Sequence, residues 1–365
     1  MPSKERNTSL DLYRFLCMFL ITTIHITGYC NLIGAVVPGQ FNFYILHILY
    51  AFQRFAIAGF ILISAYFLVE ATDTAKKLIT FWVQLIFFSI VIFGLTCLLI
   101  PSAFSWKHLI KSIFPVLTYH YWYPISYIIL LIFAPLLNKF VRSITKTELL
   151  SAIFLLSFVI SVFLPLNPFF DATAFLGHQS HSILWFVQLY LIAAYIRLYG
   201  VKRAVLFGPV CFLIVGIFLF LLFIGRRFAI NASITVAIRF FDKIDLLSYN
   251  SLLPLLFSVS SFITFLHMKI SLPKWLNRVI HFLVPTAFGI YLVQEHNALR
   301  QNLWNFFQLQ RYADGPWLLP MIVLVFFAIW GAAIAVYLLY RLARKLFLIK
   351  LEQALMQLLQ HLRKR

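Results

Sequence analysis

The sequence predicts an all-α, polytopic membrane protein with about ten transmembrane helices. The 365 residues are 62% hydrophobic and only 11% charged, whereas soluble proteins have about 25% charged residues. Apolar runs of about 20 residues recur along the chain, and each is long enough to cross a hydrocarbon core of about 30 Å. Because backbone groups in lipid must be bonded within their own segment, each run is expected to be a helix.

Ten apolar segments are candidates for these helices. In chain order they are residues 10–29, 48–69, 79–100, 122–138, 149–166, 183–200, 205–224, 250–268, 280–299 and 317–340. Proline, asparagine and short charged clusters separate them, as in "KKL" at 76–78. No soluble insert or internal repeat interrupts the pattern. We therefore expect one integral membrane domain over 1–340 and a basic, amphipathic cytoplasmic tail over 341–365.

Lysine and arginine are distributed unevenly between the predicted connections. We number the connections between the ten segments from the N-terminus. Twenty of the 30 lysines and arginines lie in the N-terminus, the even-numbered connections and the tail, and eight lie in the odd-numbered connections. The remaining two, Arg14 and Arg54, lie within segments. Since cytoplasmic segments are enriched in lysine and arginine, both termini are predicted to be cytoplasmic. This topology and contact with anionic membrane lipids explain the net charge of +19. No nucleic-acid partner is expected, because the charges are dispersed over loops.

The stretch "YRFLCMFLITTIH" (13–25) places two polar side chains at membrane depth. Arg14 and His25 are eleven residues apart, so they lie within ~20° of one helical face and ~16 Å apart along the axis. Asp11 lies one turn before Arg14 on a neighbouring part of this face. An intramembrane arginine costs roughly 2.5–3.5 kcal/mol at the bilayer centre, and such residues are functional by default. The structural alternative is an interfacial Asp11–Arg14 pair, with His25 bonded to a backbone carbonyl.

Further polar or aromatic side chains are expected at the depth of His25. They are Arg54, His120, Trp122, Glu295 and His296. Helices two, four and nine would then surround the first helix with a polar chamber, in which Glu295 could hold His25 in one tautomer. Structural alternatives stay open for each. Arg54 could reach toward the interface or pair with a carboxylate, the aromatic residues could form an interfacial belt, and Glu295 could pair with Arg300.

No metal site is expected in this chain. The stretch "GHQSHS" (177–182) offers His178 and His181, but no carboxylate or thiolate stands at a suitable ligand spacing. The four cysteines form no CxxC pair, and all but Cys30 lie within apolar segments. We therefore interpret them as small apolar residues.

The first predicted helix resembles that of a known family. In "SLDLYRFLCMFLITTIHITGY" (9–29), Arg14 and His25 match the arginine, ten residues, histidine signature of the membrane acyltransferase type three family. The stretch "QRFAIAGFILISAYFL" (53–68) is similar to that family's second helix, with Ala65 where glycine is usual. The matching residues there are Arg54, Ser64 and Tyr66.

Two later stretches extend the resemblance over most of the chain. "YHYWYPISYIILLIFAPLL" (119–137) is similar to a helix of the family that begins with histidine and tryptophan and later contains proline. "TAFGIYLVQEHNALRQNLW" (286–304) resembles a late motif of the family. Gln294 stands where many members have histidine, and Glu295 and His296 follow at once. This departure leaves open what replaces the usual late histidine.

The resemblance implies transfer of an acyl group, commonly acetyl, from cytoplasmic acyl-CoA to a hydroxyl of a glycan or lipid-linked sugar. The expected setting is the inner or plasma membrane of a bacterium. Acyl-CoA would be a co-substrate, and no bound cofactor is expected. The predicted roles are catalysis by His25 and Glu295, donor binding by Arg14 and Asp11, and acceptor binding by Arg54, His120, Trp122 and His296. His25 would activate the acceptor hydroxyl or carry the acyl group itself.

A transporter or lipid-linked sugar flippase is the alternative from another class. Such a protein would also have many helices, intramembrane charges and basic inner loops. However, the sequence shows no inverted repeat and no matching pair of helices broken by glycine or proline. The sequence therefore favours the acyltransferase.

The charge distribution makes a testable prediction about topology. A reporter active only in the cytoplasm should give signal when fused after residue 365 and remain silent when fused after Asn167. The physical reason is the retention of lysine-rich and arginine-rich segments on the cytoplasmic side. The reverse pattern of reporter activity would contradict the predicted orientation and every depth assigned from it.

Overall fold

The computed structural model describes residues 7–167 and 182–363, and these residues form helices without any strand. We label the apolar helices and the tail helix α1 to α11. They are α1 Thr8–Tyr29, α2 Phe41–Leu68, α3 Thr74–Leu99, α4 Trp122–Ser143, α5 Lys146–Ser157 extended to Leu166, α6 Ile183–Tyr199, α7 Ala204–Asn231, α8 Leu252–His267, α9 Lys274–Glu295, α10 Leu318–Ala343 and α11 Ile349–Arg363. The predicted all-α, polytopic class is confirmed.

Short helices connect several of these long ones. They are Leu32–Ala35, Pro101–Ala103, Trp106–Ile113, Thr235–Lys243, Arg300–Phe307 and Leu309–Tyr312. Three irregular turns interrupt long helices: a 3-10 turn at Val284–Thr286 within α9, and π-helical turns at Phe158–Phe163 within α5 and at Arg344–Leu348 between α10 and α11. The first contains Pro285, which cannot donate a backbone hydrogen bond.

Each of the ten predicted segments overlaps one of the helices α1 to α10. In the described residues, eight helical stretches are long and apolar enough to cross a membrane, while α6 and α8 are shorter. The largest differences are the start of α2 at Phe41 instead of 48 and the end of α7 at Asn231 instead of 224. The predicted end of the ninth segment is also wrong. The segment was expected to run to residue 299, but the helix ends at Glu295 because His296 has an extended backbone conformation. The predicted boundary at 340 also falls inside α10, which continues to Ala343.

Helices α1 and α2 form the centre of the bundle. We compare the share of buried residues in the most apolar 18-residue stretch of each helix. It is 72% in α2 and 61% in α1, but only 22% in α7 and 28% in α5. The peripheral helices therefore present much of their apolar surface outward, as expected of lipid-facing helices. Helix α1 packs against α2, against α8 and against the second half of α9. Its polar residues are consequently enclosed by protein.

The start of α1 is fixed by polar contacts. The Asn7 side chain accepts from the Leu10 amide at 3.1 Å and so caps the helix. The Ser9 hydroxyl donates to the Met268 carbonyl at 2.6 Å, in the connection between α8 and α9. We call the end of the bundle where α1 begins, α2 ends and α3 begins the basic end, since Arg14, Lys76 and Arg344 face one cavity there.

A glycine allows α1 and α2 to approach each other closely. A Cβ atom at Gly59 would lie 2.3 Å from the hydroxyl oxygen of Tyr13 and 3.0 Å from the sulfur of Cys17. The Tyr13 hydroxyl is also hydrogen-bonded to Ser261 of α8 at 2.6 Å. Gly59 therefore permits a three-helix contact that any side chain would push apart.

Because of this contact, we expect that even alanine in place of Gly59 destabilises the protein. Gly59→Ala should lower the free energy of unfolding by about 1–3 kcal/mol, because the added methyl displaces a buried and hydrogen-bonded tyrosine. Thermal unfolding in detergent measures the effect. Gly94→Ala is the matched control, since a Cβ there meets nothing within 4 Å. An unchanged transition in both variants would contradict the assigned role of Gly59.

Candidate active site

A narrow cavity of about 30 Å³ lies beside His25, in the half of the bundle away from the basic end. It is lined by residues from α1, α2, α4 and α9. They are Met18, Ile21, His25, Ile57, Phe60, Trp122, Tyr123, Phe288 and Tyr291. The four helices are those expected to surround a chamber. The lining, however, is mainly aromatic and aliphatic rather than polar, so His25 is the only titratable imidazole among these residues.

Glu295 joins α9 to α1 at this cavity. Its Oε1 atom lies 3.6 Å from Nε2 of His25. Oε1 also accepts a hydrogen bond from the Tyr29 hydroxyl at 2.9 Å, and Oε2 accepts from Arg300 at 3.3 Å. The carboxylate is therefore positioned between one cation and one imidazole. A proton arriving on His25 would be stabilised by Glu295, as an acid stabilises the histidine of a catalytic triad.

The two nitrogens of His25 have different surroundings. Nε2 faces Glu295, whereas Nδ1 is buried without a hydrogen-bond partner among the described residues. If the hydrogen is placed on Nε2, the lone pair of Nδ1 is available to accept a proton. The structural alternative, in which His25 satisfies a backbone carbonyl, is not what the structure shows.

Tyr29 and Arg300 were not predicted as site residues. Tyr29 lies one helical turn after His25, and its ring is 46% exposed. The guanidinium of Arg300 lies 5.2 Å from the centroid of this ring, and Trp304 stacks on the ring at 5.9 Å. Tyr29 is four residues after His25, and this spacing predicts that the two side chains lie on the same face of α1. Arg300 had been considered only as a structural partner of Glu295, and it does pair with that residue.

A second and larger cavity opens at the basic end, with a volume of about 840 Å³. Its charged lining residues are Arg14, Glu70, Asp73, Lys76, Lys77 and Arg344. Four of these side chains are basic and two are acidic. Arg14 is paired with Asp11 at 3.2 Å and its side chain is 21% exposed. The cavity therefore offers a concentration of positive charge at one end of the α1 stripe.

Aromatic rings separate the two cavities. Phe81 and Tyr127 line the larger cavity, and Phe288 and Tyr123 line the narrow one. The ring centroids of Phe81 and Phe288 are 4.9 Å apart, and those of Tyr123 and Tyr127 are 6.2 Å apart. These two ring pairs form an aromatic layer between the lining that includes Arg14 and the lining that includes His25.

Arg54 lies on a different side of α2. Its guanidinium sits among three aromatic rings, 4.6 Å from the centroid of Tyr50, 4.9 Å from that of Phe223 and 4.6 Å from that of Tyr249. Cation–π contacts stabilise a desolvated arginine without a carboxylate. Neither structural alternative fits, since the side chain of Arg54 is buried and no acid among residues 7–167 and 182–363 is seen to pair with it. Its predicted role in acceptor binding stays a prediction, and the residue does not line the His25 cavity.

His120 and His296 lie next to each other, with ring centroids 4.7 Å apart. His120 bonds to the Lys111 carbonyl through Nδ1 and accepts from the Asn297 amide through Nε2. His296 is fully buried and bonds to the Ser89 carbonyl through Nε2, while Nδ1 accepts from the Ala298 amide. Since each nitrogen has a backbone partner, the two imidazoles fix the loops beside Glu295. Their role as acceptor ligands stays a prediction that these contacts do not favour.

A family comparison agrees with this geometry. The acyltransferase domain profile matches residues 7–341, nearly the whole chain. The chain belongs to the acyltransferase 3 family. Membership in this family identifies a membrane acyltransferase, and the resemblance inferred from the first helix is confirmed. Comparison with curated proteins and with solved structures gives no match.

The departure from the family's late motif can now be located. Gln294 is fully buried, and neither of its amide atoms has a hydrogen-bond partner among the described residues. The following residue, Glu295, places Oε1 3.6 Å from Nε2 of His25. In this member of the acyltransferase 3 family, an acid thus lies against the histidine of the first helix.

The expected absence of a metal site stays a prediction. Residues 7–167 and 182–363 contain no group of three histidine, cysteine or acidic side chains that could hold a metal ion. His178 and His181 lie outside the described residues. Trp122, the remaining predicted acceptor residue, lines the narrow cavity together with His25.

The environment of His120 predicts a dependence of stability on pH. Burial lowers the pKa of His120 to about 4, and the charges of Lys111, His108 and Arg300 act in the same direction. Below the unfolded value of about 6.5, the unfolded chain therefore binds a proton that the folded protein does not. The folded state should lose about 2 kcal/mol from this group between pH 8 and pH 5.

Thermal unfolding in detergent across this pH range tests the prediction. His120→Gln should flatten the decrease in melting temperature, because glutamine can make both backbone hydrogen bonds without titrating. His361→Gln, at an exposed position in α11, is the matched control and should keep the wild-type slope. Equal slopes for all three proteins would show that His120 does not titrate differently on unfolding.

Proposed function

We propose that the protein transfers an acyl group from acyl-CoA to a hydroxyl of a glycan or lipid-linked sugar. The family resemblance favours acetyl as this group. The observation that carries this proposal is the placement of two cavities on one helix. Arg14 faces the large basic cavity, and His25 faces the narrow cavity beyond the aromatic layer. The donor and the acceptor can therefore approach the same histidine from different directions.

The basic cavity suits the donor. Arginine binds phosphate oxygens bidentately and remains charged, and lysines add further positive charge. Arg14, Lys76 and Lys77 line a space of about 840 Å³, which falls in the range of small-molecule sites. The phosphates of CoA would bind there, with Asp11 orienting Arg14 through their 3.2 Å pair.

The pantetheine arm would connect the two sites. Arg14 and His25 are separated by ~16 Å along α1, and the aromatic layer lies between the linings of the two cavities. The rings of Phe81, Tyr127, Tyr123 and Phe288 are the groups that the arm must pass. Because the narrow cavity is only about 30 Å³, these rings would have to rotate before a thioester could reach His25.

His25 and Glu295 would perform the chemistry. His25 takes the proton of the acceptor hydroxyl while the oxygen attacks the thioester carbonyl carbon. The carbon–sulfur bond breaks, and the resulting CoA thiolate takes the proton back from His25. Glu295 stabilises the imidazolium that exists between these two transfers. The alternative in which His25 carries the acyl group between two half-reactions uses the same residues.

The acceptor would bind on the side of Tyr29. This ring is half exposed and adjoins both Arg300 and Glu295. Trp122 adds an aromatic wall to the narrow cavity. The proposed setting is the bacterial inner membrane, with the basic end in the cytoplasm. Donor and acceptor would then meet from opposite faces of the membrane, and the acyl group would cross the membrane through this protein.

Inverted membrane vesicles from an acceptor-producing strain test this proposal. Radiolabelled acetyl-CoA added outside reaches only the cytoplasmic face, and label is measured in the glycan and glycolipid fractions. Wild type should transfer label to an acceptor within the vesicles. His25→Ala should reduce the rate by a factor of at least about 10², the usual contribution of a general base. Arg14→Ala should raise the donor concentration needed for half-maximal rate.

Two substitutions serve as matched controls in the same vesicles. His267→Ala removes an imidazole that bonds only to its own helix at Ile263, and Arg278→Ala removes an exposed arginine of the basic end. Both should transfer label at the wild-type rate. If the His25→Ala variant transfers label at the wild-type rate, the proposed catalytic role of His25 is wrong. Label transfer that requires donor and acceptor on the same side would overturn the transmembrane route.

A further inference from the structure

The tail helix α11 packs against α3 and borders the basic cavity. A neighbouring cavity of about 620 Å³ lies between the two helices. Asp73, Lys76, Thr80 and Arg344 line both this space and the basic cavity. The tail therefore forms one side of the region in which the donor is proposed to bind.

One acid of the tail holds a cavity arginine. The carboxylate of Glu352 accepts two hydrogen bonds from Arg344, at 3.0 Å from Nε and at 3.0 Å from Nη2. It also accepts from the hydroxyl of Thr80 at 3.4 Å. The side chain of Glu352 is only 8% exposed, whereas that of Arg344 is 40% exposed. The pair is thus bidentate, with the acid enclosed and the guanidinium accessible from the cavity.

Both residues of this pair lie outside the family domain. The acyltransferase domain profile ends at residue 341, and Arg344 and Glu352 follow in the π-helical turn and in α11. Glu352 is also the only acidic residue between 341 and 365. In a strongly basic segment that anionic lipids would attract, this single acid is directed inward at an arginine. Both members of the pair therefore lie beyond the matched residues.

We propose that Arg344 is an additional phosphate-binding residue of the donor site and that Glu352 competes with the donor for it. This inference rests on the proposed function. A bidentate arginine–carboxylate pair has the geometry that arginine also uses for phosphate. A phosphate group of CoA entering beside Arg14, Lys76 and Lys77 can replace the carboxylate on Arg344. The tail thereby sets the donor concentration at which the enzyme becomes saturated.

The other acids near Arg344 are consistent with replacement of the Glu352 carboxylate by a phosphate. The basic cavity also contains the carboxylates of Glu70 and Asp73. Glu70 is paired with Arg197, and Asp73 caps α3 by accepting from the Lys76 amide at 2.9 Å. Both acids thus have partners of their own. Glu352, like Asp11, has as its partner an arginine that lines the basic cavity.

Equilibrium binding of CoA measures the proposed competition directly. The full-length protein is placed in nanodiscs of phosphatidylcholine, so that no anionic lipid competes for Arg344. Glu352→Gln removes the competing charge and should tighten CoA binding by about fivefold, the upper range for a partly exposed pair. Arg344→Gln should weaken binding by about tenfold, as expected for a lost charged hydrogen bond. The double variant should bind as weakly as Arg344→Gln alone, since Glu352 acts through Arg344.

Lys345 provides the controls. It is exposed and adjacent to Arg344 but does not line the basic cavity. Lys345→Gln should bind CoA like wild type, although it removes the same charge as Arg344→Gln. Glu352→Gln combined with Lys345→Gln restores the net charge of wild type and should still bind more tightly. Tight binding that disappears in this combination would attribute the effect to net charge and overturn the proposal.

Arg14→Ala separates failure of this inference from failure of the proposed function. If Arg14→Ala weakens CoA binding while Arg344→Gln and Glu352→Gln leave it unchanged, the donor site stands and the tail competition is overturned. If wild type itself does not bind CoA, the proposed donor is wrong and this inference fails with it. Should Arg344→Gln fail to fold, as judged by size-exclusion chromatography, the tighter binding of Glu352→Gln still tests the competition.

Discussion

The polar stripe of α1 is the constraint on which the structure depends. Lipid cannot accommodate Arg14 and His25 at membrane depth without a large cost, so α1 must lie inside the bundle. Helices α2, α8 and α9 enclose it, and Gly59 lets α2 approach closely enough to complete the packing. The more apolar helices then take the lipid-facing positions. The location of both cavities follows from this arrangement, since each forms where neighbouring helices meet α1.

The interruption of α9 brings the acid to the histidine. Pro285 and the 3-10 turn allow the second half of this helix to be placed separately against α1, and the helix stops at Glu295. The extended backbone at His296 turns the chain so that Arg300 can return to the same carboxylate. His120 and His296 then fix this turn through backbone hydrogen bonds. These hydrogen bonds hold the chain on both sides of the turn beside Glu295.

Much of the fold was predictable because it depends on local properties. Apolar length places the helices, and the periodicity of α1 puts Arg14 and His25 on one face without any tertiary information. The position of Glu295 at the depth of His25 was also expected. The surroundings of Arg54 were not predictable, because an arginine within an apolar helix has several possible partners. Tyr50 is four residues before Arg54 in the same helix, but the sequence could not indicate that Phe223 and Tyr249, from two other segments, would join it around the guanidinium.

The sequence by itself determined the membrane class, the helix positions, the polar stripe of α1 and the resemblance to the acyltransferase family. These properties follow from hydrophobic length and from residues within a few turns of each other. Only the tertiary structure decided that Glu295 contacts His25, that an aromatic layer separates two cavities, and that Glu352 of the tail holds Arg344. Each of these contacts joins segments distant in the chain or across a helix interruption, where packing fixes the distance and no sequence period does.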